Sequence, residues 1–154
     1  MDVFYWPLFL LVINFSASLQ CPPGWKQNGD LCYLFSHNKV TWAEAEGICR
    51  AFESTLAEPT SQVSDSFLVA EAVRTQRKYW IGGSDIALEG TFTWISSQLS
   101  FEYTNWIPGD PNNANAGEDC VLTNWLGDGK WADGDCEWKE YFICQQEDVG
   151  NLIG

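Results

Sequence analysis

Over residues 41–52 the apolar positions Trp42, Ala45, Ile48, Cys49 and Phe52 recur at the spacing of one helix face. Thr41 and Glu44 stand where a capping box would open that helix. A second helix is predicted to begin near Ser61, with Val63, Phe67, Leu68, Ala70 and Val73 on its buried face. Arg74, Arg77 and Lys78 then lie near its C-terminal end, where the helix dipole favours cations. Ahead of both helices, Cys21-Pro22-Pro23-Gly24-Trp25 and the run Leu31–Phe35 flank Gly29-Asp30 and predict a small hairpin. From Tyr79 the pattern changes to short β-prone pieces at 79–81, 91–95, 120–125 and 141–144, separated by glycine, asparagine and aspartate clusters. Helices first and short strands afterwards predict an α+β domain with an irregular second half. Residues 105–119 are too long and polar for a hairpin turn, and ordered loops of that length usually carry function.

The chain has 154 residues, 45% hydrophobic and 15% aromatic, enough for one domain with a real core and too few for two ordinary ones. Residues 1–18 read as an export signal: an apolar run over 3–13 precedes Ser16-Ala17-Ser18, with cleavage expected at about 18–20. That run is too short to cross a bilayer and no second one of membrane length follows, so a secreted, extracellular chain with no membrane insertion is expected. A domain over 21–146 and a frayed tail over 147–154 complete the expected layout.

Cys21, Cys32, Cys49, Cys120, Cys136 and Cys144 all follow the signal, and an even count in an exported chain argues for a complete disulfide framework. There is no CxxC pair, and His37 is the single histidine, so structural zinc is not expected. His37, between Ser36 and Asn38, reads as an exposed turn residue, and no catalytic residue is assigned. Twenty-one acids against eight bases give a net charge of −13. Such a charge repels nucleic acid and anionic membranes; calcium, basic partners and mineral surfaces remain.

Asp110, Asn112, Asn113, Glu118, Asp119, Asp128, Asp133 and Asp135 are hard oxygen donors gathered in a short span without sulfur or imidazole. Calcium takes about six to eight such oxygens, which favours it over softer metals. Turns are also rich in these residues for backbone reasons, so spacing alone does not decide. A cis peptide before Pro111 would set Asp110 and Asn112 on one side, and the sequence leaves cis or trans open. The loop lacks the exiting helix and fixed spacing of an EF-hand.

These residues resemble the C-type lectin family in its long form, over 21–146, and within it the perlucin-type members from molluscs. The likeness is carried by Cys21-Pro22-Pro23-Gly24-Trp25, Thr41-Trp42-Ala43-Glu44-Ala45, Trp80-Ile81-Gly82-Gly83, Asn105-Trp106, Gly117-Glu118-Asp119-Cys120, Trp131-Ala132-Asp133 and Phe142-Ile143-Cys144. The resemblance implies a C-type lectin fold of two helices and small antiparallel sheets with a long calcium-binding loop. It implies the disulfides Cys21–Cys32, Cys49–Cys144 and Cys120–Cys136, and a sugar-binding calcium site of Asp110, Asn112, Glu118 and Asp133. An auxiliary calcium site is implied at Asp85, Glu89, Asn113, Glu118 and Asp119. Two departures matter: the first acid is Asp110 where mannose-preferring members usually carry glutamate, and Ala132 replaces an asparagine that would bind both calcium and sugar.

The function implied is calcium-dependent glycan recognition. Vicinal sugar hydroxyls would be coordinated directly, and the acid-Pro-amide order favours mannose-type or glucose-type ligands in a defence or adhesion lectin. One shallow site binds weakly, so a homo-oligomer would supply avidity. Trp80, Trp94, Trp106 and Trp131 read as core, while Trp125 stands as a ligand contact or a packing residue. The acidity and Ala132 also motivate an alternative, an acidic shell-matrix or protein-binding module that binds no sugar. A glycosidase would need paired carboxylates of separated pKa, which this density of acids does not suit.

Overall fold

The computed structural model describes residues 21–147. The export signal at 1–18 and all of the tail at 147–154 except Glu147 lie outside the described residues.

Helix α1 (Trp42–Ala51) opens on the capping box read from the sequence: Thr41 Oγ1 accepts from the Glu44 amide, and Glu44 Oε2 accepts from the Thr41 amide at 2.9 Å. It buries Trp42, Ala45 and Cys49, whereas Phe52 falls at the C-cap and is 52% exposed. Helix α2 (Gln62–Thr75) opens on a second such box, between Ser61 and Ser64, and ends on a left-handed Gln76. Its buried line is Asp65, Leu68 and Ala72, and this corrects the apolar face expected from spacing. At ~100° per residue, Val63 and Ala70 lie about 140–160° round from Asp65 and face solvent. A buried carboxylate takes the place that the apolar count assigned to valine and alanine.

Two helices, eight strands and one 3-10 turn are the elements among the described residues. Strands β1 (Lys26–Asn28) and β2 (Leu31–Phe35) form the N-terminal hairpin, and β3 (Thr55–Leu56) links the helices. Then follow β4 (Tyr79–Ser84), β5 (Thr93–Trp94), β6 (Cys120–Thr123), β7 (Trp131–Gly134) and β8 (Tyr141–Glu147). The strands join in one sheet of order β1-β2-β8-β4-β6-β7, with β3 on β8 and β5 on β4. Pairing is antiparallel except at the centre, where Tyr79 and Trp80 of β4 run parallel to Tyr141 and Phe142 of β8. The α+β class holds, and that parallel junction joins the expected small antiparallel sheets into one. Strand β7 had not been anticipated; it pairs Trp131 with Thr123 and Asp133 with Val121.

Alternation along the strands divides the core. Tyr79, Ile81, Val121, Trp131 and Ile143 pack with Leu68 and Ala72 of α2. Trp80, Leu122, Phe142 and Cys144 pack on the other face with Trp42 and Ala45 of α1. Trp80, Trp94 and Trp131 are at most 2% exposed and are core, and the partly buried Trp106 packs edge-on to Trp131 at 5.8 Å. The disulfides are Cys21–Cys32, Cys49–Cys144 and Cys120–Cys136, the pairing that the resemblance implied. In a chain-entropy account, closing the 95-residue separation of Cys49 and Cys144 contributes about 4–5 kcal/mol.

Asn124 docks the β6–β7 turn on α2. Its Nδ2 donates to the carbonyls of Ala72 and Arg77, and its Oδ1 accepts from Gly129. Gly129 has φ +84°, and a Cβ there would overlap the Val69 side chain.

The N-terminal hairpin is tied to α2 by charge. Lys26 Nζ and Arg74 Nη2 lie 2.7 and 2.6 Å from Glu71 Oε1. The Arg74 hydrogen bond first, and then Lys26, hold the Glu71 carboxyl down to about 2 against the opposing effect of burial. A depressed carboxyl stabilises the fold above its unfolded value and loses that contribution as pH falls through its folded one. Glu71→Gln is therefore expected to cost about 1 kcal/mol at pH 7, both bases being largely solvated. The gap in melting temperature between the two proteins should close as pH is lowered from above 4.5 to about 2.

Candidate functional site

The acids of the long loop converge on one end of the sheet. Asp85 follows β4, Asp119 precedes β6, and the two are joined by a hydrogen bond from the Asp85 amide to the Asp119 carbonyl at 3.1 Å. Carboxylate oxygens of Asp85, Glu89 and Asp119 lie within 4.8 Å of one another, the one such acidic group among the described residues. Asp85 is 3% exposed; its Oδ2 accepts from the Gly90 amide at 2.8 Å, and its Oδ1 is buried with no hydrogen-bond partner. An unpaired buried carboxylate oxygen is costly, and among three converging acids it fits a hard cation.

Burial first, and then the charge of Asp119, push the Asp85 carboxyl up against the Gly90 amide. Glu89 is likewise raised, first by desolvation and then by Asp85 and Asp119. Asn113 is drawn in by a hydrogen bond from its Nδ2 to Glu89 Oε1 at 2.6 Å, while its Oδ1 accepts from the Glu118 amide at 3.1 Å. Glu118 Oε2 accepts from the Ala114 amide at 3.1 Å, within the 3-10 turn Ala114–Ala116.

The second set is assembled through the backbone. The peptide before Pro111 is cis. Asn112 Nδ2 donates to Asp110 Oδ1 beside it. Both oxygens of Asp133, which is 4% exposed, accept from the Asn112 amide at 3.1 and 3.0 Å, and one also accepts from the Asn113 amide at 2.7 Å. Strand β7 is thereby fastened to the tip of the loop. Asp110 and Glu118 are raised by burial first and by the neighbouring Asp133 charge, with hydrogen bonds from Asn112 and Ala114 opposing. Ala132, 1% exposed, brings no side-chain oxygen to this set.

Other acids and aromatics of the region are placed elsewhere. Asp128 accepts from the Lys130 amide and Asp135 from the Glu137 amide, each closing a local turn. Trp125 lies in the β6–β7 turn, two residues beyond the end of β6. Trp138 stacks on Trp125 at 5.5 Å, and Lys78 Nζ lies 3.6 Å from the Trp125 ring centroid. Trp125 thus has packing partners of its own, in the half of the core that holds α1. A cleft of about 610 Å³ lined by Pro22, Leu31, Phe52 and Gln145 holds none of the loop's acids.

Sequence reasoning missed Asp65, whose buried carboxylate accepts from Trp131, Tyr103 and Asn105 at the foot of the loop. The signal that could have found it is an acid three and seven residues ahead of Leu68 and Ala72, on their face of α2. The amides of Asn112 and Asn113 were also missed, because backbone donors leave no mark in residue type.

Fold, disulfide pairing and acidic loop together describe a C-type lectin domain. The family profile of the lectin C-type domain matches residues 38–146, and the chain belongs to that family, whose members are typically binding proteins without enzymatic activity. It is 42% identical to perlucin from Haliotis laevigata over 132 residues, which cover 84% of each chain. The carbohydrate-recognition domain of the human scavenger receptor C-type lectin superposes with a TM-score of 0.78 at 31% identity, covering 83% of this chain and 99% of that one. A calcium-independent type II antifreeze protein superposes with a TM-score of 0.76 at 26% identity, covering 84% and 96%. Among the described residues no helix is long and apolar enough to cross a membrane.

Removing one of the crowded charges should stabilise the protein when no cation is present. Asp85→Asn keeps an oxygen for the Gly90 amide and is expected to raise the melting temperature in chelator at pH 7. Because the Asp85 carboxyl is raised in the folded state, its penalty is absent where it is protonated in both states and complete above its folded value. The gain should therefore fade as thermal scans are taken below the ordinary carboxylate range.

Proposed function

We propose that this protein is a secreted, calcium-dependent carbohydrate-binding lectin and not an enzyme, with microbial or cell-surface glycans as partners. The observation that carries this is the partnerless Oδ1 of Asp85 among the converging oxygens of Glu89 and Asp119. Asp85, Glu89 and Asp119, with Asn113 and Glu118 beside them, would hold the auxiliary ion. Asp110, Asn112, Glu118 and Asp133 would hold the sugar-site ion.

Calcium held there would supply a Lewis-acidic centre for vicinal sugar hydroxyls. The chain's own groups supply the orientation. Asp110 and Glu118 carboxylates would accept hydrogen bonds from those hydroxyls, and the Asn112 side chain would donate one through the Nδ2 hydrogen not given to Asp110. Asp133 anchors the loop tip through the Asn112 and Asn113 amides, so the donors and acceptors are pre-set before a ligand arrives. The acid-Pro-amide order of Asp110-Pro111-Asn112 favours equatorial hydroxyl pairs, as in mannose or glucose.

A second function is favoured by a specific observation. Ala132 offers no side-chain oxygen, which leaves the sugar-site ion the four residues Asp110, Asn112, Glu118 and Asp133, against five for the auxiliary one. An acidic module that keeps the auxiliary calcium and binds mineral or protein surfaces would need nothing more. Its similarity to perlucin is consistent with such a role.

Calorimetric titration separates the two. A sugar-binding lectin should take up calcium in two events, then bind mannose and not galactose, and lose that binding in chelator. One calcium event with no sugar binding, together with altered calcium carbonate crystal growth, would favour the matrix role. Calcium at ~100 times its dissociation constant should stabilise the fold by about 2.7 kcal/mol. Ala132→Asn adds an oxygen and a donor and is expected to raise calcium-dependent mannose affinity about tenfold. Unchanged affinity would mean that the side chain at 132 does not reach the ligand.

A further inference from the structure

Asp65 has no place in either ion site, yet it is 2% exposed and carries three hydrogen bonds from segments remote in sequence. Trp131 Nε1 donates to its Oδ1 at 2.9 Å; Tyr103 Oη and Asn105 Nδ2 donate to its Oδ2 at 3.0 and 2.7 Å. Tyr103 and Asn105 begin the limb that leads to Asp110 and Asn112. Trp131 begins the strand that carries Asp133. The two limbs are also laced to one another by backbone: the Trp131 amide donates to the Asn105 carbonyl, and the Ile107 amide to the Trp131 carbonyl, both at 2.8 Å. From there the Asp110 amide reaches the Ile107 carbonyl at 3.1 Å. An unbroken chain of hydrogen bonds therefore runs from α2 to the acid-Pro-amide tripeptide.

We propose that Asp65 is the positioning residue of the acidic loop, a buried carboxylate on α2 that clamps the two limbs bearing Asp110, Asn112 and Asp133 before any ion or sugar binds. The role rests on the calcium reading only for its effect on affinity; its effect on loop order stands apart.

A carboxylate suits the task because it offers acceptors alone, and all three facing groups are donors. An asparagine would turn an N–H toward one of them and leave a buried donor unpaired. Burial raises the Asp65 carboxyl, and the Trp131, Tyr103 and Asn105 hydrogen bonds, with the nearby charge of Lys130, oppose that rise. The Tyr103 phenol is pushed up to about 12, by its own burial first and by the Asp65 charge next. Lys130 Nζ lies 3.4 Å from Asn105 Oδ1 and is the basic group of the cluster.

The test uses the full chain with its disulfides intact, comparing wild type with Asp65→Asn, Tyr103→Phe and Leu56→Ala. Leu56 is buried in the other half of the core, with Trp42 and Ala45, so its truncation lowers global stability without touching the clamp. In chelator, amide hydrogen exchange at Ile107, Asn112, Asn113 and Trp131 should quicken on the order of tenfold in Asp65→Asn and about fivefold in Tyr103→Phe. Those amides should be unchanged in Leu56→Ala, whatever its fall in melting temperature. Calcium titration should show affinity about tenfold weaker in Asp65→Asn and unaltered in Leu56→Ala. Wild-type exchange at these amides in both clamp variants, or an equal effect of Leu56→Ala, overturns the proposal. If Asp65→Asn does not fold, Tyr103→Phe alone decides. Wild type that takes up no calcium defeats the calcium reading, and the exchange rates still judge the clamp.

Discussion

Like charges brought together with no base to balance them set the terms for the whole domain. Asp85, Glu89, Asp110, Glu118, Asp119 and Asp133 crowd one end of the sheet, and none of the four ion pairs among the described residues involves them. Two such charges about 4 Å apart repel by about 1 kcal/mol in water and by several where solvent is partly excluded. Left to itself a loop carrying them would splay. What opposes that is backbone hydrogen bonding to Asp133, Glu118 and Asp85, and a scaffold beneath that does not yield.

The scaffold works from below and from the side. Phe92, Trp94, Phe101, Trp106 and Trp131 form a continuous aromatic wedge at the foot of the loop, with Trp94 stacked on Phe101 at 4.0 Å and edge-on to Trp131 at 5.8 Å. The Cys120–Cys136 bridge holds the two strands that flank the acids, and Asp65 reaches across from α2 to the indole of Trp131. Each uses a different interaction: dispersion and burial, a covalent link, and a buried polar network. The overall fold is shared with the scavenger receptor lectin domain and with a calcium-independent antifreeze protein. The chemistry therefore resides in the residues at the loop's tip, and the frame can persist when they change.

Much of the fold was legible because it depends on local periodicity and on cysteines. Thr41 and Glu44 announce α1 through three consecutive peptide units, so no distant partner is needed to read them. The disulfide pairing, by contrast, came from resemblance, since spacing alone leaves the choice open. Along α2 the hydrophobic count placed Val63 and Ala70 inside, and the helix turned them out because Asp65 had three donors waiting for it. Trp125 was grouped with the acids by nearness in sequence, and the fold gives it Trp138 and Lys78 as packing partners.

The sequence by itself determined which atoms this protein has to offer: a surplus of oxygen donors with Lys130 the one base among them, six cysteines, capped helices, and aromatic residues at strand spacing. These follow from composition and short-range order, which a linear string records in full. Only the tertiary structure decided which oxygens meet, that Asp85 keeps one without a partner, that the peptide before Pro111 is cis, and that both Asp133 oxygens are taken by amides of a segment some twenty residues away. Those are facts about long-range closure, where the same aspartate is a solvated turn residue at 128 and a buried strut at 65. The difference lies in the donors that the rest of the chain delivers to it.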